Sequence, residues 1–125
     1  LTGKVVAGKQ MGRTIGFPTA NIKIKDSYKH IPKQGAYIAS AIIENNVVQG
    51  MMNIGTNPTV AGENQTIEIH FLDFNQNLYD MDIQISVHNR LRDEQKFDSV
   101  QSLKRQLEKD RENTIAYFKN NVNLH

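Results

Sequence analysis

The sequence predicts an all-β domain that ends in one helix. Short apolar runs broken by turn residues continue to about residue 90, whereas about the last 25 to 30 residues have the periodicity of a helix. No helical segment separates the six strand candidates, which argues against a parallel sheet built from alternating strands and helices. Six consecutive short strands indicate a closed barrel or a sandwich, and closure into a barrel would also remove exposed strand edges.

The strand candidates are short segments rich in apolar and β-branched residues. They cover residues 2–7, 20–24, 36–43, 47–54, 66–72 and 80–88. In the last of them apolar residues occupy every second position from Met81 to Val87, which predicts a strand with one buried and one wet face. Asparagine tolerates positive φ, so residues 44–46 (Glu-Asn-Asn) and 75–77 (Asn-Gln-Asn) suit tight hairpins.

The predicted helix begins near Asp98. Asp98 and Gln101 resemble a capping box, in which two side chains satisfy free amides of the first helical turn. An apolar stripe and a charged face then follow at helical spacing. The stripe is Val100, Leu103, Leu107, Thr114 and Phe118, and the wet face is Lys104, Arg105, Glu108, Lys109 and Glu112. We expect this helix, about residues 98–120, to pack on a barrel formed by about residues 1–90.

The composition fits one domain of 125 residues with a small core, since 38% of the residues are hydrophobic. The net charge is 15 − 13 = +2 and no run of five like charges occurs, so we expect no nucleic-acid partner. The absence of cysteine excludes disulfides, thiolate zinc sites and cysteine nucleophiles. With no long apolar stretch and no signal-peptide pattern, we expect a cytoplasmic protein without a membrane partner.

The densest group of unusual residues lies within positions 8–21. Gly8, Gly12 and Gly16 recur at a spacing of four and leave backbone amides open to close approach. Lys9 and Arg13 add positive charge, so the segment could cradle a polyphosphate through amides and cations. The alternative is a flexible connection between strands, and the glycines alone favour it because short glycine patterns are weak signals.

The segment Pro18-Thr19-Ala20-Asn21 shifts that balance towards a site. Proline fixes the backbone where the strand begins, and Thr19 and Asn21 then point to the same face of the strand. A hydroxyl and a carboxamide are hard oxygen donors, suited to a Mg²⁺ that also holds phosphate oxygens. The alternative is a solvated pair at the start of a strand. The Walker A loop and the protein-kinase motifs are missing, so phosphoryl transfer would need another scaffold.

Glu68 is the candidate general base. It lies between two isoleucines of a predicted strand, and alternation places it with His70 on the side away from the apolar face. Glutamate is depleted in strands, and a half-buried carboxylate can accept a proton from a hydroxyl nucleophile. The alternatives are an exposed strand position for Glu68 and a structural hydrogen bond for His70. The four histidines lack metal-ligand spacing, so a zinc site is not expected.

Two further segments carry weaker signals. Residues 53–59 predict the end of a strand followed by a turn, and such a turn can have a structural role without contributing to a site. Residues 88–98 form a charged link between the last strand and the helix, and such a link is either a solvated loop or a lid over a ligand.

Taken together, these segments resemble the riboflavin kinase family, and the resemblance covers nearly the whole chain. Its most specific part is the Pro-Thr-Ala-Asn box at residues 18–21 in a glycine-rich context. The other matching pieces are weak singly but follow in family order. They are Gly35-Ala36-Tyr37, Asn53-Ile54-Gly55 with Pro58-Thr59, Ile67-Glu68-Ile69-His70, Leu78-Tyr79, Leu91-Arg92 and Phe97-Asp98-Ser99.

The resemblance implies a six-stranded antiparallel Greek-key barrel with a C-terminal helix, and transfer of the ATP γ-phosphate to riboflavin with Mg²⁺ to give FMN. Thr19 and Asn21 would meet the metal and the phosphates, and Glu68 would take the proton from the ribityl hydroxyl. Residues 8–16 would cover the nucleotide, and residues 90–97 would close over the flavin. The implied nucleotide contacts are Gly8, Lys9, Gly12, Arg13, Gly16, Thr19 and Asn21, and the implied flavin contacts are Arg90, Arg92 and Phe97.

Residues 90–97 lack apolar periodicity before Phe97, so little burial would offset their backbone entropy. We therefore expect a mobile segment with Arg92 as a moving contact and Phe97 as its fixed end, cleavable after Arg90, Arg92 or Lys96.

The resemblance also implies that an FMN adenylyltransferase domain precedes Leu1 in the full-length chain. The alternative functions are a non-catalytic flavin-binding barrel and a small barrel that binds nucleic acid.

Overall fold

The computed structural model describes residues 1–6, 16–25, 31–59, 62–74 and 76–121. Within these residues six strands precede one helix, as the sequence predicts. They are β1 (Thr2–Val6), β2 (Ala20–Ile24), β3 (Gly35–Ile43), β4 (Asn46–Thr59), β5 (Gly62–Phe71), β6 (Asp82–Arg92) and α1 (Val100–Asn120). None of the described segments forms a helix that combines the length and the apolar character needed to cross a membrane.

The strands close into an antiparallel barrel in the order β1-β2-β5-β4-β3-β6. β3, β4 and β5 are consecutive neighbours, and the chain then returns to place β6 beside β3, which is a Greek-key connection. This topology decides between the barrel and the sandwich that the strand pattern left open, and it confirms the Greek-key barrel.

Alternation along the strands supplies the barrel core. Ile54 of β4 and Ile69 of β5 are almost fully buried, and Ile83 and Ile85 fill the core from β6 as the period of two predicts. Leu78, from the connection between β5 and β6, is buried against the same cluster. The core therefore draws on the inward face of the strands and on one connecting segment.

The predicted alternation fails at Val87, which is 37% exposed. Ile38 and Ala39 of β3 are adjacent, yet they lie opposite Asn89 and Val87, so His88 is an extra residue in β6. Such a bulge bends the strand and redirects the side chains around it.

Of the two predicted hairpins, one is confirmed and one is wrong. Glu44 and Asn45 join β3 to β4 with φ of 49° and 68°, which suits a tight turn. Residues 75–77 do not form a hairpin, because β5 pairs with β2 and β4 whereas β6 pairs with β1 and β3. The connection instead crosses between strands that are not neighbours; Asn75 itself lies outside the described residues.

β4 and β6 run further than the sequence predicts. Residues 53–59, expected to turn, continue β4 to Thr59 because β5 pairs with them from Gly62 onwards. β6 likewise continues past His88 to Arg92 along β3. In both cases a strand distant in sequence supplies the hydrogen bonds, which local propensity does not reveal.

The N-cap of α1 lies one residue later than predicted. This residue is Ser99, whose hydroxyl accepts a hydrogen bond of 3.1 Å from the amide of Ser102. The capping box predicted at Asp98 and Gln101 is therefore wrong, since a serine one position on caps the same turn. Val100, assigned to the apolar stripe, is 62% exposed at the first helical position.

The rest of the helical stripe faces the barrel. Thr114 and Phe118 are buried, Leu103 and Leu107 are half-buried, and the five charged residues predicted on the wet face are all exposed. The ring of His88 on β6 meets Phe118 edge-on, with centroids 5.3 Å apart. The prediction that the helix packs on the barrel is thus confirmed.

Candidate functional site

One row of residues crosses five strands of the barrel. Asn21 of β2 lies opposite Glu68 of β5, which lies opposite Asn53 of β4. Asn53 lies opposite Ala36 of β3, and Ala36 lies opposite Arg92 of β6. Residues directly opposite each other share one face of a sheet. Because both chain neighbours of Glu68 are buried in the core, this row lies on the outer face of the barrel.

A cavity of about 670 Å³ lies over this row. The barrel supplies a largely polar wall that includes Asn53 and Glu68. The opposite wall comes from α1 and the segment before it, and its apolar groups are Phe97, Leu103 and Leu107. The cavity therefore combines an apolar side with polar groups that can orient a ligand, which is the usual composition of a small-molecule site.

Glu68 is half-buried in the wall of this cavity. Burial raises the pKa of Glu68 above the ordinary value of a glutamate, because the charged form loses solvation. A raised pKa moves the carboxylate towards the range in which a general base is most effective.

A second cavity, of about 570 Å³, lies on the other side of the start of β2, and its lining includes the rings of Phe74 and Tyr79. Thr19 and Asn21 line both cavities. The two side chains singled out in the sequence as oxygen donors therefore stand where the two cavities adjoin.

Thr19 and Asn21 fit a Mg²⁺ that takes its other ligands from a substrate. Mg²⁺ usually keeps few protein ligands and binds phosphate oxygens and waters. Across the described ranges no three His, Asp or Glu side chains come together in a group that could hold a metal. Hard oxygen donors without a carboxylate cage suit a metal that arrives with phosphates.

Most of the predicted nucleotide loop lies outside the described residues, including Gly8, Lys9, Gly12 and Arg13. Gly16 is described and has a φ of +85°, in the left-handed region that favours glycine. Glycine at this position lets the chain turn into the segment that leads to Thr19.

The three predicted flavin contacts occupy different places. Arg92 and Phe97 line the cavity with Glu68, but Arg90 does not. The Arg90 guanidinium instead donates hydrogen bonds of 2.6 Å each to the carbonyl of Gln34 and the carboxylate of Asp93.

Arg92 lies in β6 and forms an ion pair with Asp110, which argues against the predicted moving contact. Its guanidinium donates from Nε and Nη2 to Oδ2 of Asp110, at 3.0 and 2.8 Å. The Asp110 side chain is 4% exposed and also accepts a hydrogen bond of 2.9 Å from Gln106. Because β6 extends to Arg92, only residues 93–97 of the predicted lid lack regular structure.

Asp110 lines the cavity with Glu68, although the sequence analysis did not predict it as a site residue. A signal was present, because Leu107, Asp110 and Thr114 follow each other at the spacing of one helical face. An acid on an apolar stripe requires a buried partner, and Arg92 is that partner.

His70 forms the structural hydrogen bond that the sequence reading left as one alternative. Its Nδ1 lies 2.7 Å from the carbonyl oxygen of Pro18 and therefore donates to it. The ring also meets Phe17 edge-on at 5.2 Å, and the Arg111 guanidinium lies over the Phe17 ring, 4.8 Å from its centroid. Burial lowers the pKa of His70, and the charge of Arg111 lowers it further, against the raising effect of the Pro18 bond.

Comparison with known proteins connects this geometry to one family. A model of the family described as Flavokinase: Riboflavin kinase matches residues 1–118. The bifunctional riboflavin kinase/FMN adenylyltransferase of Bacillus subtilis is 41% identical over 123 residues, covering 96% of this chain and 39% of that protein. The protein of the same description from Escherichia coli K12 is 39% identical over 119 residues, covering 94% and 37%.

Two further relatives carry other descriptions. The RNA-binding riboflavin kinase RibR of Bacillus subtilis is 40% identical over 111 residues, covering 88% of this chain and 47% of that protein. A solved structure described as a macrolide-efflux protein from Streptococcus pneumoniae has a TM-score of 0.84 and 39% identity, covering 90% of this chain and 37% of that one. The chain thus spans less than half the length of each of these relatives.

Proposed function

This chain belongs to the riboflavin kinase family, and from that premise we propose that it transfers the γ-phosphate of ATP to the terminal ribityl hydroxyl of riboflavin, forming FMN and ADP. One observation carries the proposal. Thr19 and Asn21 line two adjoining cavities, and the candidate base Glu68 lies in one of them. A kinase needs this arrangement, because the acceptor and the phosphate donor must meet in line.

We assign riboflavin to the cavity that contains Glu68. The isoalloxazine ring is large, flat and mostly apolar, and Phe97, Leu103 and Leu107 offer an apolar wall for it. The ribityl chain would then extend along the polar barrel wall towards Glu68. Arg92 and Phe97 remain proposed flavin contacts, whereas Arg90 is better assigned to fixing the chain before residues 93–97.

We assign ATP to the second cavity, next to Thr19 and Asn21. Phe74 and Tyr79 provide aromatic surface for the base of the nucleotide. Residues 8–16 shortly precede Pro18 and Thr19 in the sequence, and these two residues line the cavity. The glycine amides of that segment and the cations Lys9 and Arg13 therefore remain the proposed phosphate contacts.

The mechanism follows from the positions of these groups. Glu68 accepts the proton of the ribityl hydroxyl while that oxygen bonds to the γ-phosphorus, and the bond to the β–γ bridging oxygen breaks to release ADP. Thr19 and Asn21 would hold Mg²⁺, whose charge would offset that of the phosphates. Most of the rate then comes from positioning and charge neutralisation, since the protein forms no covalent bond to substrate.

The proposal extends to the full-length protein and its surroundings. The bifunctional relatives support a companion FMN adenylyltransferase domain. The cytoplasmic location expected from the sequence stays a proposal. We also keep the proposal that no nucleic acid binds, and a filter-binding assay with RNA tests it. That assay is needed because one relative is described as RNA-binding.

The direct test is incubation of the protein with riboflavin and Mg·ATP, followed by chromatographic detection of FMN. We expect FMN and ADP in equal amounts, and no FMN when EDTA removes the metal. Folded protein that forms no FMN would refute the kinase assignment and favour a flavin-binding barrel without activity.

We predict that Thr19→Val and Asn21→Ala weaken Mg·ATP binding far more than riboflavin binding. Each change removes an oxygen donor at the junction of the cavities, and interactions with charged groups contribute about 1.5–3 kcal/mol, or roughly 10- to 150-fold in affinity. Titration calorimetry with a non-hydrolysable ATP analogue measures the effect.

Asn53→Ala is the matched control for Asn21→Ala. Asn53 lies on the other side of Glu68 in the same row and lines only the Glu68 cavity. We expect this variant to weaken riboflavin and to leave the nucleotide unchanged. Normal Mg·ATP binding by both the Thr19 and the Asn21 variants would make the start of β2 purely structural.

We predict that trypsin cleaves the free protein after Lys96 and that ligands suppress this cut. Lys96 is exposed in the segment without regular structure, whereas Arg90 and Arg92 lie within β6 and should resist cleavage. Riboflavin with Mg·ADP should slow the cut more than either alone, because the segment lines the proposed flavin cavity. Lys96→Gln identifies the band, and an unchanged rate at saturating ligand would mean that residues 93–97 are no lid.

A further inference from the structure

The chain immediately before β2 lacks the support that a strand ladder gives. Regular pairing of β2 with β5 begins at Ala20, which lies opposite Ile69. Phe17, Pro18 and Thr19 have no regular secondary structure. Proline has no N–H with which to extend the ladder, so backbone pairing alone cannot fix Thr19 against β5.

The His70 side chain of β5 instead holds this segment in place. Its Nδ1 donates to the Pro18 carbonyl at 2.7 Å, across 52 positions of sequence. The same ring packs edge-on against Phe17, which is 2% exposed. Arg111 of α1 also contacts the Phe17 ring, so side chains from both β5 and the helix hold this residue.

We propose that His70 is a positioning residue for the phosphate donor, which it serves by holding the Pro18 carbonyl and thereby fixing the Thr19 side chain at the junction of the two cavities. This inference rests on the proposed function and deepens it. His70 lines the Glu68 cavity two residues from Glu68, so its role could be confused with that of a base. A positioning role acts on the nucleotide, whereas a base acts on the chemical step.

The test separates the hydrogen bond from the ring. His70→Phe keeps an aromatic ring against Phe17 but removes the donor, whereas His70→Asn keeps a donor close to the position of Nδ1. We expect His70→Phe to raise the KM for Mg·ATP about fivefold, the size expected of one neutral hydrogen bond, and to change the KM for riboflavin much less. His70→Asn should restore most of the affinity.

His88→Phe is the matched control. His88 also makes a side-chain hydrogen bond of 2.7 Å, to Ser40, and also meets a phenylalanine edge-on, at 5.3 Å. It lines neither cavity. This variant should resemble His70→Phe in thermal stability but leave the KM for Mg·ATP unchanged.

Each other outcome contradicts the inference. A fall in kcat at constant KM would make His70 a base, and equal changes for both substrates, or no rescue by asparagine, would make it a general structural residue. If His70→Phe does not fold, His70→Asn is compared with His70→Leu, because leucine has nearly the shape of asparagine but cannot donate a hydrogen bond. Failure of the proposed function is separately visible, because wild-type protein would then form no FMN while nucleotide binding by these variants remains measurable by calorimetry.

Discussion

Replacing Glu68 with glutamine should lower kcat by about 10²–10⁴ while both substrates still bind. Glutamine keeps the size of the side chain and can still form hydrogen bonds, but it cannot accept the proton of the ribityl hydroxyl. Single-turnover measurements with riboflavin and Mg·ATP report the chemical step directly. Wild-type turnover by this variant would show that another group takes the proton.

Protonation of the same carboxylate should determine how the wild-type kcat falls at low pH. Burial raises the pKa of Glu68, so the base becomes protonated at a higher pH than an exposed glutamate would. The acid limb of kcat should therefore lie above the ordinary range of a glutamate, and Glu68→Gln should lose that limb. A limb unchanged in the variant would have to come from another group.

The stability of the same variant provides an internal control. A carboxyl whose pKa is raised on folding stabilises the fold at low pH, and that contribution is lost as pH rises through the raised value. Above the raised pKa the ionised group is a cost, so in that pH range Glu68→Gln should be at least as stable as the wild type. Activity would then fall without loss of fold, which excludes unfolding as the cause.

Replacing Asp110 with alanine should lower the free energy of unfolding by about 3–5 kcal/mol. The Gln106 amide would lose its acceptor, and the Arg92 guanidinium, which is only 19% exposed, would lose its counter-charge while keeping the hydrogen bond of 3.2 Å from Nη1 to the Asp93 carbonyl. Urea unfolding measures the effect, provided that the dependence on urea concentration keeps the slope of the wild type.

Asp93→Ala is the matched control, because Asp93 also pairs with an arginine of β6 but is 85% exposed. Solvent screens exposed pairs of that kind, so this one should contribute little to stability. Arg92→Met combined with Asp110→Leu should recover much of the loss, since replacing both buried charges with apolar groups is often neutral. If Asp110→Ala costs no more than Asp93→Ala, the pair does not stabilise the packing of α1 on the barrel.

The sequence alone determined the local character of each element. Period-two alternation gave β5 its buried face and placed Glu68 on the other side, because side-chain direction along a strand follows from backbone geometry. Helical spacing in the same way indicated the face of α1 that packs on the barrel. The oxygen donors Thr19 and Asn21 were also visible as residue types two positions apart, although β2 begins only at Ala20, so Thr19 lies just outside the strand.

The tertiary structure alone decided which of these groups meet. Asn21 and Glu68 lie opposite each other through the pairing of β2 with β5, and Arg92 joins the row through the pairing of β3 with β6. These strands are not consecutive, so no turn or local pattern fixes their register. For the same reason the hairpin predicted at residues 75–77 is wrong, because β5 and β6 are consecutive in sequence but are not neighbours in the barrel. Asp110 became a site residue only because the helix packs against the end of β6, where burial of its carboxylate requires the charge of Arg92.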